Sequence, residues 1–217
     1  MKKISNNKYK VTFLVDNKNT WFSKYLNIFP IKNKKYIFKV SSNVKKVFNQ
    51  DVLFIINYTK ILNKKRLLQN KLNLVIHSSN LPKNRGGAPL HWQILRNKKK
   101  IKICLFEAIE KLDAGNIIFQ KEIDIEDYDL QVTLYYRVMF ISLMYLENVL
   151  KKVKNKYTGK KQIGKGTYYS RGAPFDGKIN KNWSIKKINA FIKAMIFPPR
   201  PLAKIGNKFI KNKSEIK

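Results

Sequence analysis

The segment from Val75 to Trp92, VIHSSNLPKNRGGAPLHW, constrains the fold of this chain more than any other stretch. A β-branched apolar run ends on His77, and a loop rich in proline and glycine follows it. A strand with this ending places the imidazole at the carboxyl edge of a sheet, where open α/β folds hold ligands. Asp113, within the sequence LDAG, follows 36 residues later (113 − 77). Its carboxylate, folded back beside the imidazole, would complete a proton-transfer pair.

Strand-like and helix-like segments alternate through Val153, which predicts a three-layer α/β fold with a mostly parallel, Rossmann-like sheet and helices on both faces. The apolar runs predict strands at Lys10–Asp16, Lys35–Val40, Asp51–Asn57, Leu72–His77, Ile101–Glu107 and Asn116–Glu122. Helical spacing of apolar residues predicts helices at Asn19–Phe29, Lys60–Asn70, Leu90–Leu95, Thr133–Val153 and Trp183–Ile196. In the helix predicted over Lys60–Asn70, the inward-facing residues would be Ile61, Leu62, Leu67 and Leu68.

The pattern changes after Lys154, where a linker rich in lysine and glycine runs to Gly166 and a turn-rich stretch follows it. This change predicts a core over residues 1–154 and a small C-terminal extension over residues 155–217. Three prolines at positions 198, 199 and 201 are expected to end the last helix.

Cysteine and histidine are too scarce here to build a metal site. The single cysteine, Cys104, lies in an apolar run and is predicted to be a buried small hydrophobic residue. His91, the second of two histidines, has no cysteine or carboxylate neighbours at ligand spacing. We expect His91 to be a surface or helix-cap residue, Trp92 to belong to the core, and the chain to bind no metal.

The formal net charge of +33 predicts a field that attracts nucleic acid, anionic membranes or phosphorylated small molecules. Arginine accounts for only six of the 46 basic residues, which leaves 40 lysines (46 − 6) spread over the whole chain. Base readout and bidentate phosphate recognition favour arginine. The composition therefore indicates a solvated lysine surface, from which a phosphate-bearing substrate would still benefit. The basic N-terminus lacks the apolar stretch of a signal peptide, and we expect a cytoplasmic protein.

Two blocks of residues resemble the signature of 10-formyltetrahydrofolate-dependent formyltransferases. They are the string from His77 to Gly86, with Pro89 and Trp92, and the later Leu112–Gly115. That group includes methionyl-tRNA, glycinamide ribonucleotide and sugar N-formyltransferases. Both blocks and their spacing match, over roughly residues 51–122, which implies the formyltransferase fold with residues 1–154 as its catalytic core.

Within this group, the chain looks most like the sugar N-formyltransferases, because of Trp92–Leu95, Lys102–Ile117 and Thr167–Ile179. The resemblance implies transfer of a formyl group from 10-formyltetrahydrofolate to the amine of a nucleotide-linked amino sugar, for surface glycan synthesis. Relatives of this kind are commonly homodimers, so a homodimer is expected as well.

The resemblance assigns His77 to the formyl oxygen as it becomes an oxyanion, and Asp113 to proton transfer. One departure matters: the family carries an asparagine two residues before the histidine, where this chain has Val75. Loss of one oxyanion donor typically costs about 2.7–4 kcal/mol of transition-state stabilisation. Asn73, two residues earlier on the same strand face, is predicted to substitute as a third catalytic residue, with Asn80 in the loop as the alternative.

The resemblance also implies two sets of binding residues. The folate pocket maps to the segments 58–62 and 108–112, with Tyr58, Ile61, Leu62, Ala108, Ile109, Lys111 and Leu112 as the contacts. The substrate contacts are expected to be Lys83, Arg85, Gly86 and Arg171.

Two other functions stay open at this point. A methionyl-tRNA formyltransferase is favoured by the charge, although such enzymes carry a C-terminal barrel domain and only 63 residues follow Lys154 here (217 − 154). The other is a non-catalytic binding protein with the same fold, which Val75 favours.

Overall fold

A six-stranded sheet forms the centre of the protein in a computed structural model that describes residues 8–29, 35–170 and 172–216. Its spatial order is β2-β1-β3-β4-β6-β7. The strands are β1 (Tyr9–Leu14), β2 (Tyr36–Ser41), β3 (Val52–Ile55), β4 (Asn73–His77), β6 (Lys100–Glu107) and β7 (Ile117–Asp124), while β5 (Arg85–Gly86) lies outside this sheet.

The first four strands of the sheet run parallel, and the last two pairings are antiparallel. The prediction of a mostly parallel α/β sheet is therefore confirmed, with an antiparallel edge added by β6 and β7. Every residue of β3 is buried, as expected for a parallel strand covered on both faces. In the antiparallel pairing of β4 and β6, His77 lies opposite Cys104 and Val75 lies opposite Phe106.

Helices pack around this sheet where the sequence places apolar residues at helical spacing. They are α1 (Trp21–Ile28), α2 (Lys64–Leu67), α3 (Pro89–Leu95), α4 (Gln131–Met144), α5 (Leu146–Lys154) and α6 (Ile185–Met195). The side chains of Thr20 and Ser184 cap the N-termini of α1 and α6 by accepting hydrogen bonds from backbone amides. The last helix ends at Met195, just before the prolines, as predicted.

Two helix predictions were wrong in extent. The helix expected over Lys60–Asn70 is only the single turn of α2, because the Asn63 side chain caps it by accepting from the Arg66 amide and the preceding residues are not helical. Leu68, expected to face inward, is 76% exposed, and Ile61 is exposed as well. The helix expected over Thr133–Val153 is divided at Tyr145, whose ring stacks on Phe119 with 4.6 Å between centroids.

The segment after Lys154 is tied to the core in two places. The strand β8 (Tyr168–Tyr169) pairs in parallel with β5, and α6 packs on α3 in an apolar cluster that joins Leu95 to Phe191. A hairpin of β9 (Ala203–Ile205) and β10 (Lys208–Ile210) completes this region. The domain boundary at 154 stays a prediction, but the extension packs directly against the core.

The burial prediction is confirmed for Cys104, whereas Trp92 is partly buried and packs against the edge of an apolar cluster. Cys104 is fully buried, and the Trp92 ring stacks on Tyr169 with 5.0 Å between centroids. Among residues 8–29, 35–170 and 172–216, no helix has the length and apolar character needed to cross a bilayer. The same ranges contain no group of three or more histidine, cysteine or carboxylate side chains placed to hold a metal ion.

Candidate active site

A cavity of about 750 Å³ lies against the ends of β3 and β4. One side of it, which we call the strand-edge wall, is formed by residues of β3, β4 and β6 and of the two loops that follow β3 and β6. This wall comprises Ile55, Tyr58, Ile61, Leu62, Val75, His77, Phe106, Ala108, Ile109, Leu112 and Asp113. The predicted catalytic histidine and aspartate therefore share one mostly apolar wall.

His77 is the last residue of β4 and is held in one orientation. Its side chain is only 6% exposed, and the edge-to-face contact with Phe106 spans 6.4 Å between ring centroids. Nε2 lies 2.7 Å from the backbone carbonyl of Asn84. Because a carbonyl can only accept, Nε2 must carry the proton, and Nδ1 is the nitrogen left for chemistry.

Asp113 lies beside this free nitrogen, with Oδ2 3.7 Å from His77 Nδ1. The residue adopts the left-handed backbone conformation, with φ of 50°, within the turn of the LDAG sequence. The turn packs tightly against β6: a Cβ at Gly115 would lie 1.9 Å from the carbonyl oxygen of Glu107, so only glycine fits there. The 3.7 Å between His77 Nδ1 and Asp113 Oδ2 is longer than a direct hydrogen bond, so the two side chains can share a proton or a small polar group of a ligand.

The backbone amide of Gly86 fixes the carboxylate by donating a hydrogen bond of 2.7 Å to Asp113 Oδ2. Gly86 has φ of +90° and pairs with Tyr169 of β8. A Cβ at this position would lie 2.4 Å from the Tyr169 carbonyl oxygen, so a side chain would force the two strands apart.

Neither asparagine that was predicted to replace the family's oxyanion donor reaches the cavity. The Asn73 side-chain amide is buried and donates to the Leu67 carbonyl at 2.8 Å, which directs it away from His77. Asn80 is exposed in the loop, and neither residue lines the cavity. The geometry therefore does not support Asn73 as a third catalytic residue, and Val75 presents an apolar side chain at the expected donor position.

The residues expected to bind folate lie together, with one exception. Lys111 is exposed and does not line the cavity. The six that line it are Tyr58, Ile61, Leu62, Ala108, Ile109 and Leu112. Their role stays a prediction, but the structure gathers them beside His77 and Asp113.

Of the residues expected to contact substrate, some line the cavity and others do not. Gly86 lines the cavity, whereas Lys83 is exposed and does not. Arg85 is only 8% exposed, and its guanidinium binds the side chains of Gln162 and Tyr168 rather than facing the cavity. Arg171 lies outside the described residues.

His91 is neither the surface residue nor the helix cap that its sequence context predicts, since Ala88 is the N-cap of α3. It is 4% exposed, and its Nδ1 lies 3.1 Å from the side-chain amide nitrogen of Gln131, at the start of α4. Burial, with a smaller contribution from the positive charge of Arg200, lowers the pKa of His91 to about 4. His91 is therefore neutral at physiological pH. Forty residues separate it from Gln131, and no sequence spacing signals this pair.

These residues belong to a second side of the cavity, which we call the helix wall. It comprises Ala88, His91, Gln131, Gly172, Ala173, Asp176, Met195, Arg200, Lys204 and Phe209. The Oε1 atom of Gln131 is buried and has no hydrogen-bond partner within the described part of the chain. A buried acceptor left in this state costs free energy, which a ligand with an N–H or O–H group would recover.

Comparison with known proteins places this geometry in context. A family model described as formyl transferase matches residues 3–150. The GDP-perosamine N-formyltransferase of Brucella melitensis is 32% identical over 157 residues, which cover 72% of this chain and 61% of that protein. The methionyl-tRNA formyltransferase of Thermodesulfovibrio yellowstonii is 34% identical over 160 residues, which cover 73% of this chain and 50% of that protein. The chain therefore spans between half and about three fifths of the length of these relatives.

A solved structure with the same fold is the N-formyltransferase from Helicobacter canadensis, in complex with folinic acid and dTDP-3-aminofucose. It aligns with a TM-score of 0.71 and 20% sequence identity, over 95% of this chain and 87% of that one. The likeness extends beyond residue 154 and so includes the segment that forms part of the helix wall.

Proposed function

The chain belongs to the formyl transferase family, and on that premise we propose that it moves a formyl group from 10-formyltetrahydrofolate to the amine of a nucleotide-linked amino sugar. The observation that carries the proposal is the pairing of His77 with Asp113 on the wall of a cavity of about 750 Å³. Cavities of roughly 300–1,000 Å³ are typical of small-molecule sites.

The folate side of the proposal is supported by the strand-edge wall. Its apolar side chains suit the faces of a pterin ring, and backbone groups of the loop after β6 suit the polar edge of that ring. Bound there, the cofactor supplies a formyl carbon activated for attack by an amine. Tyr58, Leu62, Ile109 and Leu112 would hold the rings and exclude water from His77.

The chemical step needs a donor for the oxygen that becomes negative and an acceptor for the proton that leaves the amine. Since Nε2 of His77 is bound to a carbonyl, Nδ1 is the atom that would hold a proton for the oxyanion. The Asp113 carboxylate, 3.7 Å away, stabilises the positive charge that this creates and receives the amine proton directly or through a water. Collapse of the adduct would break the bond between the formyl carbon and the folate nitrogen, and Asp113 would pass the proton to that nitrogen as tetrahydrofolate leaves.

The acceptor side is supported by the helix wall. The unpartnered Oε1 of Gln131 would accept from a hydroxyl or amine of the sugar, and Arg200 and Lys204 carry positive charge suited to a diphosphate. The Phe209 side chain lines the same wall and is 54% exposed, which leaves its ring free to stack on a base. The homodimer and the cytoplasmic location expected from the sequence stay predictions.

The test is direct transfer by the purified protein. We expect release of tetrahydrofolate, and a mass gain of one formyl group on the sugar, when 10-formyltetrahydrofolate is supplied with nucleotide-linked 3-amino and 4-amino sugars. No turnover across a panel that covers GDP-, dTDP- and UDP-linked sugars would overturn the proposal.

A methionyl-tRNA formyltransferase is the second candidate, because a curated relative of that kind is 34% identical and the net charge is +33. The same assay with charged initiator tRNA as acceptor distinguishes the two. Folate binding without transfer to any acceptor would instead indicate a non-catalytic binding protein, which the apolar side chain of Val75 favours.

A further inference from the structure

Gln162 lies within the segment whose lysine and glycine content predicts a linker, yet its side chain is engaged on every side. Its Oε1 accepts hydrogen bonds from Arg85 Nε at 3.2 Å and from Arg85 Nη2 at 2.6 Å. Its Nε2 donates to the backbone carbonyls of Asp113 and Gly115, each at 2.9 Å. The amide therefore uses both donors and its acceptor on two loops that carry candidate active-site residues.

These contacts close a ring around the proposed proton-transfer pair. Arg85 follows His77 in the loop after β4, and the next residue, Gly86, donates its backbone amide to the Asp113 carboxylate. Gln162 connects the side chain of Arg85 to the backbone of the Asp113 turn. Asp113 is thus held at its carboxylate from one side and at its carbonyl from the other.

The Asp113 turn needs such support because of its backbone. A residue with a side chain rarely adopts a φ of 50°, although aspartate tolerates it better than most. Two N–H groups that point at the carbonyls of residues 113 and 115 stabilise this conformation against relaxation to an ordinary turn.

We propose that Gln162 is a positioning residue, which holds the Asp113 carboxylate at its working distance from His77. The role rests on the proposed function. It also assigns a task to the segment after residue 154, which locks together the two loops that meet at the catalytic pair.

The decisive variant is Gln162→Glu, which keeps the size of the side chain and an acceptor for Arg85 but has no N–H group. Its carboxylate would face two carbonyl oxygens and push the Asp113 turn away. A misplacement of about 1 Å can lower a rate about a hundredfold. We expect kcat to fall roughly 10- to 100-fold, while KM for 10-formyltetrahydrofolate changes less than about threefold, because Gln162 does not line the cavity.

A matched control is available in the same chain. The side chain of Gln69 also accepts a hydrogen bond from an arginine, Arg66, at 3.0 Å, and it does not line the cavity. Gln69→Glu should leave kcat unchanged. A similar loss of kcat in both variants would indicate a general effect of the added carboxylate and would overturn the proposal.

Hydrogen exchange provides a readout that needs no activity. The Gly86 amide donates a hydrogen bond to the Asp113 carboxylate, so a displaced Asp113 turn exposes this amide to solvent. We expect Gln162→Glu to raise the hydrogen-exchange rate of the Gly86 amide at least about tenfold, with the thermal unfolding midpoint little changed. If the wild-type protein transfers no formyl group, the proposed function fails. The exchange rate of the Gly86 amide still tests whether Gln162 holds the Asp113 turn in place. Unchanged exchange at Gly86 with unchanged kcat would overturn the positioning role, as would a loss of kcat matched by a large loss of thermal stability.

Discussion

The two walls of the cavity each contain one of the chain's two histidines, and the charges beside them are opposite. On the strand-edge wall, His77 faces the Asp113 carboxylate at 3.7 Å. On the helix wall, His91 is bound to a neutral amide and feels the positive charge of Arg200, which helps burial to lower its pKa to about 4. A histidine beside a carboxylate can hold a second proton during a reaction, whereas a buried one beside an arginine stays neutral. From this contrast we propose that the strand-edge wall performs the chemistry and the helix wall recognises the substrate.

The largest expected effect is that of His77→Gln, which tests whether the strand-edge wall is the catalytic one. Glutamine can still donate to the Asn84 carbonyl, but it has no titratable nitrogen that could replace Nδ1 of His77 beside Asp113. We expect kcat/KM to fall about a thousandfold, within the range for loss of a general acid–base group. Binding of folinic acid, measured by calorimetry, should change less than about threefold. If kcat/KM stayed within about fivefold of wild type, His77 would not be the catalytic histidine.

The second prediction concerns the neutral histidine of the helix wall. Since the pKa of His91 is about 4 in the folded protein and its ordinary value is 6.5, the unfolded chain takes up the proton first as pH falls. The stability that depends on neutral His91 is fully present above about pH 6.5 and is lost as the pH falls towards 4. The loss amounts to roughly 3 kcal/mol.

Urea unfolding of wild type and His91→Gln at several pH values checks this. The difference between their free energies of unfolding should shift in favour of the variant as the pH falls through this window. Parallel curves would mean that burial and the charge of Arg200 do not keep His91 neutral.

A third prediction sharpens the contrast by adding a polar group to the strand-edge wall. If the formyl oxygen lies beside position 75, as the resemblance implies, Val75→Asn supplies a missing donor and should raise kcat at least about tenfold. The control is Val75→Leu, because a leucine side chain has nearly the shape of asparagine but no N–H group. This control should not raise kcat. A lower kcat in a folded Val75→Asn variant would place the oxyanion elsewhere.

The smallest expected effect belongs to the orphaned acceptor of the helix wall. Gln131→Met removes Oε1, and one lost hydrogen bond should raise KM for the amino-sugar acceptor about fivefold, with KM for folate unchanged. Gln120→Met, at an exposed side chain that does not line the cavity, is the matched control. An equal rise in KM for the acceptor and KM for folate would contradict the proposal that the helix wall binds the acceptor and the strand-edge wall binds folate.

The two walls also differ in how well their residues could be predicted from the sequence. Residues of the strand-edge wall lie at the ends of strands or in the loops that follow them, so strand patterns and the motif predict His77 and Asp113 as neighbours. The family resemblance adds the segments 58–62 and 108–112. The helix wall joins residues from three distant parts of the chain, which become neighbours only when α3, α4 and the C-terminal segment pack together.

Errors in the prediction have similar physical origins. Helical spacing in residues 60–70 was outweighed by the cap at Asn63, which leaves Ile61 at the cavity instead of in a helix. Asn73 lies on the expected strand face, but its amide is bound to the Leu67 carbonyl. Arg85 was expected at a ligand, and its guanidinium is instead bound by Gln162 and Tyr168. Strand alternation reports the face of a side chain, not its hydrogen-bond partner.

The most direct test of the central claim is formyl transfer by wild type and Asp113→Asn, with nucleotide-linked amino sugars and charged initiator tRNA as competing acceptors. We predict that wild type formylates an amino sugar, and that the variant binds folinic acid normally but loses at least about a hundredfold in kcat. Formylation of the tRNA alone, or equal rates for wild type and Asp113→Asn, would contradict the account.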